Sequence, residues 1–201
     1  PGHAHADTLS FEFSIFGNRV FVNSGTSMYG NNNERHRQRS TAAHNTVLVN
    51  DENSSEVWAG FRVGRRAEVK NLIINEKSNC AKFSAEHTGY LRLKSSVLHA
   101  RSWQLKDNCL TIKDELKGSF NTAQARFHLH PSIVVENTNP NEFVLILQND
   151  KTIVCVFEGA VSISVVPTTW HPKFGSSIEN NCLVANFGSS TVVSKFTWSN
   201  S

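Results

Sequence analysis

The chain has 201 residues, with 20 Lys+Arg against 17 Asp+Glu, a net charge of +3 with histidines neutral. At this length one domain buries roughly 70% of the surface its unfolded form exposes and needs no disulfide framework. A hydrophobic content of 39% excludes disorder. No apolar stretch approaches the roughly 20 residues of a membrane helix, and no Lys/Arg block marks a surface that tracks nucleic-acid phosphates.

The opening, Pro1-Gly2-His3-Ala4-His5-Ala6-Asp7, carries no signal-peptide pattern, and the single methionine is Met28. Both features point to a segment of a longer protein. In an extended chain, residues i, i+2 and i+4 share a face, so His3, His5 and Asp7 are expected to converge. A His-x-His pair also offers two imidazoles to one cation. A cupin-type barrel site is disfavoured, because Glu12 follows His5 too distantly and falls on the opposite face of a strand. Next, Phe11, Phe13 and Ile15 alternate with polar residues, Gly17-Asn18 signals a turn, and the chain returns through Val20 and Val22, predicting a hairpin.

Residues 23–43 are almost free of aliphatic side chains. A polar loop of about twenty residues inside a compact domain tends to be functional. Arg35 and Arg37 read as solvated loop charges, and Arg39 as a structural or substrate-facing cation. His44 opens the following strand. It is placed either to hydrogen-bond the backbone or to return to the His-x-His pair as a third ligand.

From there the period is two. Strands are expected over 46–49, 67–74, 81–86, 90–105, 109–115, 125–130, 142–147, 152–157, 161–166, 182–186 and 191–198, separated by Asn/Asp/Gly/Ser turn clusters. No window gives a capped helical stripe. About a dozen short strands predict an all-β fold, an antiparallel two-sheet sandwich occupying 1–201 as one domain. His87, His99, His128, His130 and His171 read singly as framework residues. Cys80, Cys109, Cys155 and Cys182 form no CxxC pair and are expected to be free thiols.

Several blocks, in order along the chain, resemble the C-terminal β-domain of the heparinase II/III-like polysaccharide lyases. They are residues 2–12, 40–47, 55–67 (Ser-Glu-Val-Trp-Ala-Gly-Phe-Arg-Val-Gly-Arg-Arg-Ala), Arg126 to Pro131 and Trp170 to Gly175. The resemblance implies a parent with an N-terminal helical toroid that cleaves a uronate-containing acidic polysaccharide by β-elimination at the interdomain cleft. The parent is expected to be bacterial and periplasmic or secreted. It also implies roles for individual residues: His3 as the catalytic histidine, Tyr29 as the tyrosine that reaches substrate, and His5 and His44 as ligands of a structural zinc. At the remaining ligand position the family has Asp, whereas this chain has Asn23, a neutral and weaker donor. The alternative is a carbohydrate-binding or structural domain of a degenerate, lyase-like parent.

The chemistry suits these groups. The C5 proton of a uronate is a poor acid until its carboxylate is neutralised. A base then removes that proton and an acid protonates the leaving glycosidic oxygen. Histidine serves either role near neutral pH, and tyrosine serves as acid, or as base beside positive charge.

Overall fold

The computed structural model describes residues 3–199; Pro1 and Gly2 of the opening motif lie outside them, as do residues 200–201. After an irregular N-terminal strap, β1 (Phe13–Ile15) and β2 (Asn18–Phe21) form the first hairpin. Ile15 faces Asn18, so the turn residues are Phe16 and Gly17, one position earlier than the sequence signal suggests. Both have positive φ, 53° and 76°, as a two-residue turn between right-twisted strands requires. The Asn18 amide caps it by donating to the Phe16 carbonyl at 3.0 Å.

The predicted polar loop holds a helix, α1 (Asn33–Arg39), followed by a 3-10 turn at Thr41–Ala43. Short strands β3 (Val47–Val49), β4 (Val57–Trp58) and β5 (Arg62–Val63) come next. The remainder is β6 (Val69–Lys77), β7 (Cys80–His87), β8 (Leu98–Lys106), β9 (Cys109–Lys117), β10 (Ala123–His128), β11 (Val134–Asn139), β12 (Glu142–Ile146), β13 (Thr152–Glu158), β14 (Ala160–Trp170), β15 (Ile178–Phe187) and β16 (Thr191–Trp198). Residues 90–105, expected as one strand, divide into a 3-10 turn at Gly89–Arg92 and β8. Tyr90 is fully buried there, and its hydroxyl donates to the Val47 carbonyl at 2.7 Å.

All pairings between these strands are antiparallel. One sheet has the order β14-β15-β10-β3, the other β11-β12-β13-β16-β9-β8-β7-β6. Their inner faces meet in one aromatic core. The ring of Phe127 on β10 lies 5.2 Å from Phe196 on β16, 5.8 Å from Phe157 on β13 and 5.8 Å from Phe21 on β2. Edge and tilted contacts of this kind add to what the buried area alone contributes. All four cysteines are free. Among the described residues no helix is long and apolar enough to cross a membrane.

The inner face of the larger sheet also carries charge. His87, His99, Arg101 and Asp114 are all buried. The Arg101 guanidinium grips Asp114 at 2.7 and 2.9 Å and also donates to the carbonyls of Leu9 and Asn45. Hydrogen-bond direction assigns the protons. The Gly89 N–H donates to His87 Nδ1 at 3.1 Å, so His87 carries its proton on Nε2 and donates to His99 Nδ1 at 3.0 Å. His99 then donates from Nε2 to Asp114 at 2.7 Å. Burial alone would raise the Asp114 pKa, but Arg101 and His99 outweigh it and hold it at about 2. Removing one partner of such a pair leaves the other buried and uncompensated, so Asp114→Asn is expected to destabilise the domain by about 3–5 kcal/mol, read from the urea midpoint.

Burial depresses the buried imidazoles, His44 to about 4 and His128 to about 3. In the unfolded chain both protonate near pH 6.5, so the unfolded state takes up protons first as pH falls. Stability is therefore expected to be fully present above about pH 6.5 and to decline steadily toward pH 4. Urea titrations at pH 7, 5.5 and 4.5 check this; an unchanged midpoint would contradict it.

Candidate functional site

The N-terminal strap is fixed by its backbone. The Ala6 N–H donates to the Arg39 carbonyl at 2.9 Å, and the Ala6 carbonyl accepts from Thr41 Oγ1 at 2.7 Å and from Ser54 Oγ at 3.2 Å. Arg39 is buried and spends its guanidinium on carbonyls: Ala4 at 3.2 and 3.1 Å, Trp58 at 3.3 Å, Ala59 at 2.7 Å and Arg62 at 3.0 Å. Of the two roles expected for Arg39, structural or substrate-facing, these contacts describe the structural one. The guanidinium ties the strap to the β4–β5 hairpin.

Helix α1 is capped by Asn32, whose side chain accepts from the Arg35 N–H at 2.8 Å, with Glu34 in its first turn and Arg37 and Arg39 in its last. These charges complement the helix dipole. Its buried face consists of Arg35, Gln38 and Arg39. Arg35 is fully buried, which corrects its reading as a solvated loop charge. Its Nε donates to the Gly60 carbonyl at 3.1 Å, and its Nη1 reaches Thr26 Oγ1 at 3.3 Å and His5 Nε2 at 3.2 Å. Arg37, part-buried, bonds Glu34 at 2.6 and 2.9 Å, Thr169 at 2.7 Å and His171 at 3.0 Å. Arg37 holds the Glu34 pKa at about 2. Beyond this flank of the helix lies a groove of about 720 Å³ lined by Glu34, Arg37, His130, Thr169 and Asn180 among others.

His5, His44 and Asn23 come together as an ordered chain of hydrogen bonds. Arg35 can only donate, so His5 Nε2 accepts and the His5 proton sits on Nδ1. That nitrogen lies 3.2 Å from His44 Nε2. His44 in turn carries its proton on Nδ1 and donates to Asn23 Oδ1 at 3.2 Å, an oxygen that also accepts from the Asn45 N–H at 3.3 Å. Burial first, then the charges on His44 and Arg35, lower the His5 pKa to about 4. Asn23 is set by the turn after β2. Gly25 there has φ +73°, and a Cβ on it would stand 2.1 Å from the His171 carbonyl oxygen, so only glycine fits.

This donor set does not fit a zinc ion. Asn23 meets one ring nitrogen of His44 and His5 meets the other, and the lone pairs of those nitrogens diverge, so the three residues share no central point. Among the described residues, no three His, Cys, Asp or Glu side chains are grouped to hold a metal. Asp7, expected to converge with His3 and His5, is exposed, and its charge acts on His5.

His3 and Tyr29 sit apart from this chain, on an exposed aromatic patch. Their ring centroids are 5.4 Å apart. Phe61 lies 6.0 Å from His3 and 5.3 Å from Tyr29, and Phe174 lies 5.1 Å from Tyr29. Tyr29, Phe61 and Phe174 are 45%, 43% and 62% exposed, which leaves ring surface free for a ligand. Arg35 packs behind them, its guanidinium carbon 5.3 Å from the Tyr29 ring centroid and 5.8 Å from that of Phe61. Phe61 and Phe174 had no role expected from the sequence, and Arg35 was expected only as loop charge. For Arg35 the available signal is its spacing to Gln38 and Arg39, three and four residues, which is one face of a helix.

Solved structures share this fold. The heparinase III BT4657 gene product matches with a TM-score of 0.79 and 18% identity over 98% of this chain and 31% of its own. The heparan sulfate lyase HepC from Pedobacter heparinus matches with a TM-score of 0.78 and 15% identity over 99% of this chain and 31% of its own. The chain thus spans about a third of the length of these proteins. No curated protein sequence matches. The family profile described as heparinase II/III-like, C-terminal, matches residues 1–199, and the chain therefore belongs to the heparinase II/III-like C-terminal domain family.

Proposed function

We propose that this domain forms one wall of the cleft of a polysaccharide lyase that cleaves a uronate-containing chain by β-elimination. The observation that carries the reading is the exposed His3–Tyr29 pair, 5.4 Å between rings, framed by Phe61 and Phe174. A glycan needs apolar ring faces for its C–H surfaces and polar groups at the scissile bond, and this patch offers both. His3 moves a proton or neutralises the uronate carboxylate, and Tyr29 contacts the substrate and exchanges a proton with it. Arg35 fixes the Tyr29 ring from behind, which holds the hydroxyl in place for transfer. The groove beyond α1 gives an extended chain further surface. An N-terminal helical toroid of the parent supplies the opposite wall.

In the full-length protein, His3→Ala and Tyr29→Phe are each expected to lower kcat by about 10²–10⁴-fold, the usual contribution of a positioned proton-transfer group. Phe174→Ala should act mainly on KM. The readout is ultraviolet absorbance of the unsaturated uronate product, with heparan sulfate and other uronate polysaccharides as substrates. Residues 1–201 alone should release none, and robust release by them would overturn the two-walled cleft.

Asn23 favours a second reading. An amide where the family resemblance implies a carboxylate fits a parent that binds polysaccharide without cleaving it. Under that reading the full-length protein binds a uronate polysaccharide with His3- and Phe174-dependent affinity and forms no unsaturated product.

A further inference from the structure

We infer that the His5–His44–Asn23 cluster is a metal-free hydrogen-bond relay whose resident positive charge is the Arg35 guanidinium. Four observations lead there. First, every ring nitrogen of His5 and His44 already has a protein partner: Arg35, the other imidazole, or Asn23, with the Gln38 backbone carbonyl also acting on His44. Second, those partners lie in series. A cation sharing His5 Nδ1 and His44 Nε2 is out of reach of Asn23, which bonds the far side of the His44 ring. Third, the three side chains are all neutral, while Arg35 and Arg39 are both buried beside the strap. A dication added there meets two guanidiniums and no carboxylate among its ligands. Glu12 is taken up by Arg19 at 2.8 Å and by the Asn23 amide groups at 3.3 and 3.5 Å, and Asp7, whose charge acts on His5, is exposed and bonds neither imidazole. Fourth, Arg35 Nη2 is buried without an acceptor, and a second cation cannot supply one.

The relay does mechanical work a metal would otherwise do. It joins the strap at His5 to the turn at Asn23 and the strand entry at His44, three segments distant in sequence. Its polarity is fixed, because Arg35 only donates and Asn23 Oδ1, already accepting from the Asn45 N–H, only accepts. Each imidazole is therefore held as one tautomer, with the proton on Nδ1.

The test uses the wild-type chain and does not depend on catalysis. The purified protein is dialysed against zinc, then against zinc-free buffer. Its metal content is measured by mass spectrometry, and imidazole 15N–1H spectra are recorded with and without zinc. His5→Ala and His44→Ala spectra assign the resonances. The expected result is far less than one zinc per chain, Nδ1–H tautomers for both rings, and no change in either on adding an equivalent of zinc. About one tightly held zinc per chain that is lost in both variants would overturn the inference, as would an Nε2–H tautomer in either ring. Absence of lyase activity in the full-length protein would count against the proposed function and leave this result untouched.

Discussion

The candidate site rests on one buried guanidinium. Arg39 donates to carbonyls on two separate stretches of chain, at Ala4 of the strap and at Trp58, Ala59 and Arg62 of the β4–β5 hairpin. Trp58 and Arg62 face each other across the two-residue β4–β5 pair, a ladder too short to satisfy every carbonyl of the hairpin, and buried carbonyls need donors. A single planar, always-charged group with five N–H donors satisfies several at once. It fixes the spacing between the strap that bears His3 and His5 and the hairpin turn that bears Phe61. Helix α1, which supplies Arg39, also supplies Arg35, so the strap, turn and helix are set relative to one another by two side chains one turn apart.

Arg101 plays the corresponding part on the sheet side. Its contacts to the Leu9 and Asn45 carbonyls lie just beyond the strap and just after His44. Asp114 compensates its charge, and the two imidazoles beyond Asp114 carry the polar network back to the Gly89 amide. The aromatic core supplies bulk cohesion; the two arginines supply position. In a fold whose site lies on irregular segments, that separation keeps loops at fixed places without burying them in apolar packing.

The sheets were legible in the sequence because burying one face of a strand imposes alternation. In β9, Leu110, Ile112 and Leu116 face inward between polar neighbours, and the strand lies where that pattern placed it. Helix α1 was not legible, because its buried face is Arg35, Gln38 and Arg39; it is held by hydrogen bonds and leaves no apolar stripe. Edge strand β11 is mostly exposed, so its Asn137 and Asn139 resembled turn residues. Tyr90 misled in the opposite sense: an apolar ring in a strand-like run belongs to a 3-10 turn plugging the core. At the site, the approach of His44 to the His-x-His segment could be anticipated from strand order. The separation of His3 from His5 could not, since the strap does not follow the extended geometry that would put them on one face.

The position of β16 has a consequence for how the domain is made. Residues 191–198 lie in the middle of the eight-stranded sheet, between β13 and β9. Without them the sheet is two separate meanders, β6–β9 and β11–β13, each with an apolar face and a bare strand edge. During synthesis the two halves are exposed together until this last strand emerges to join them. That makes the domain a slow, non-local folder whose vulnerable interval on the ribosome, when unpaired edges invite wrong partners, runs from the completion of β9 at Lys117 to the arrival of β16 at Thr191.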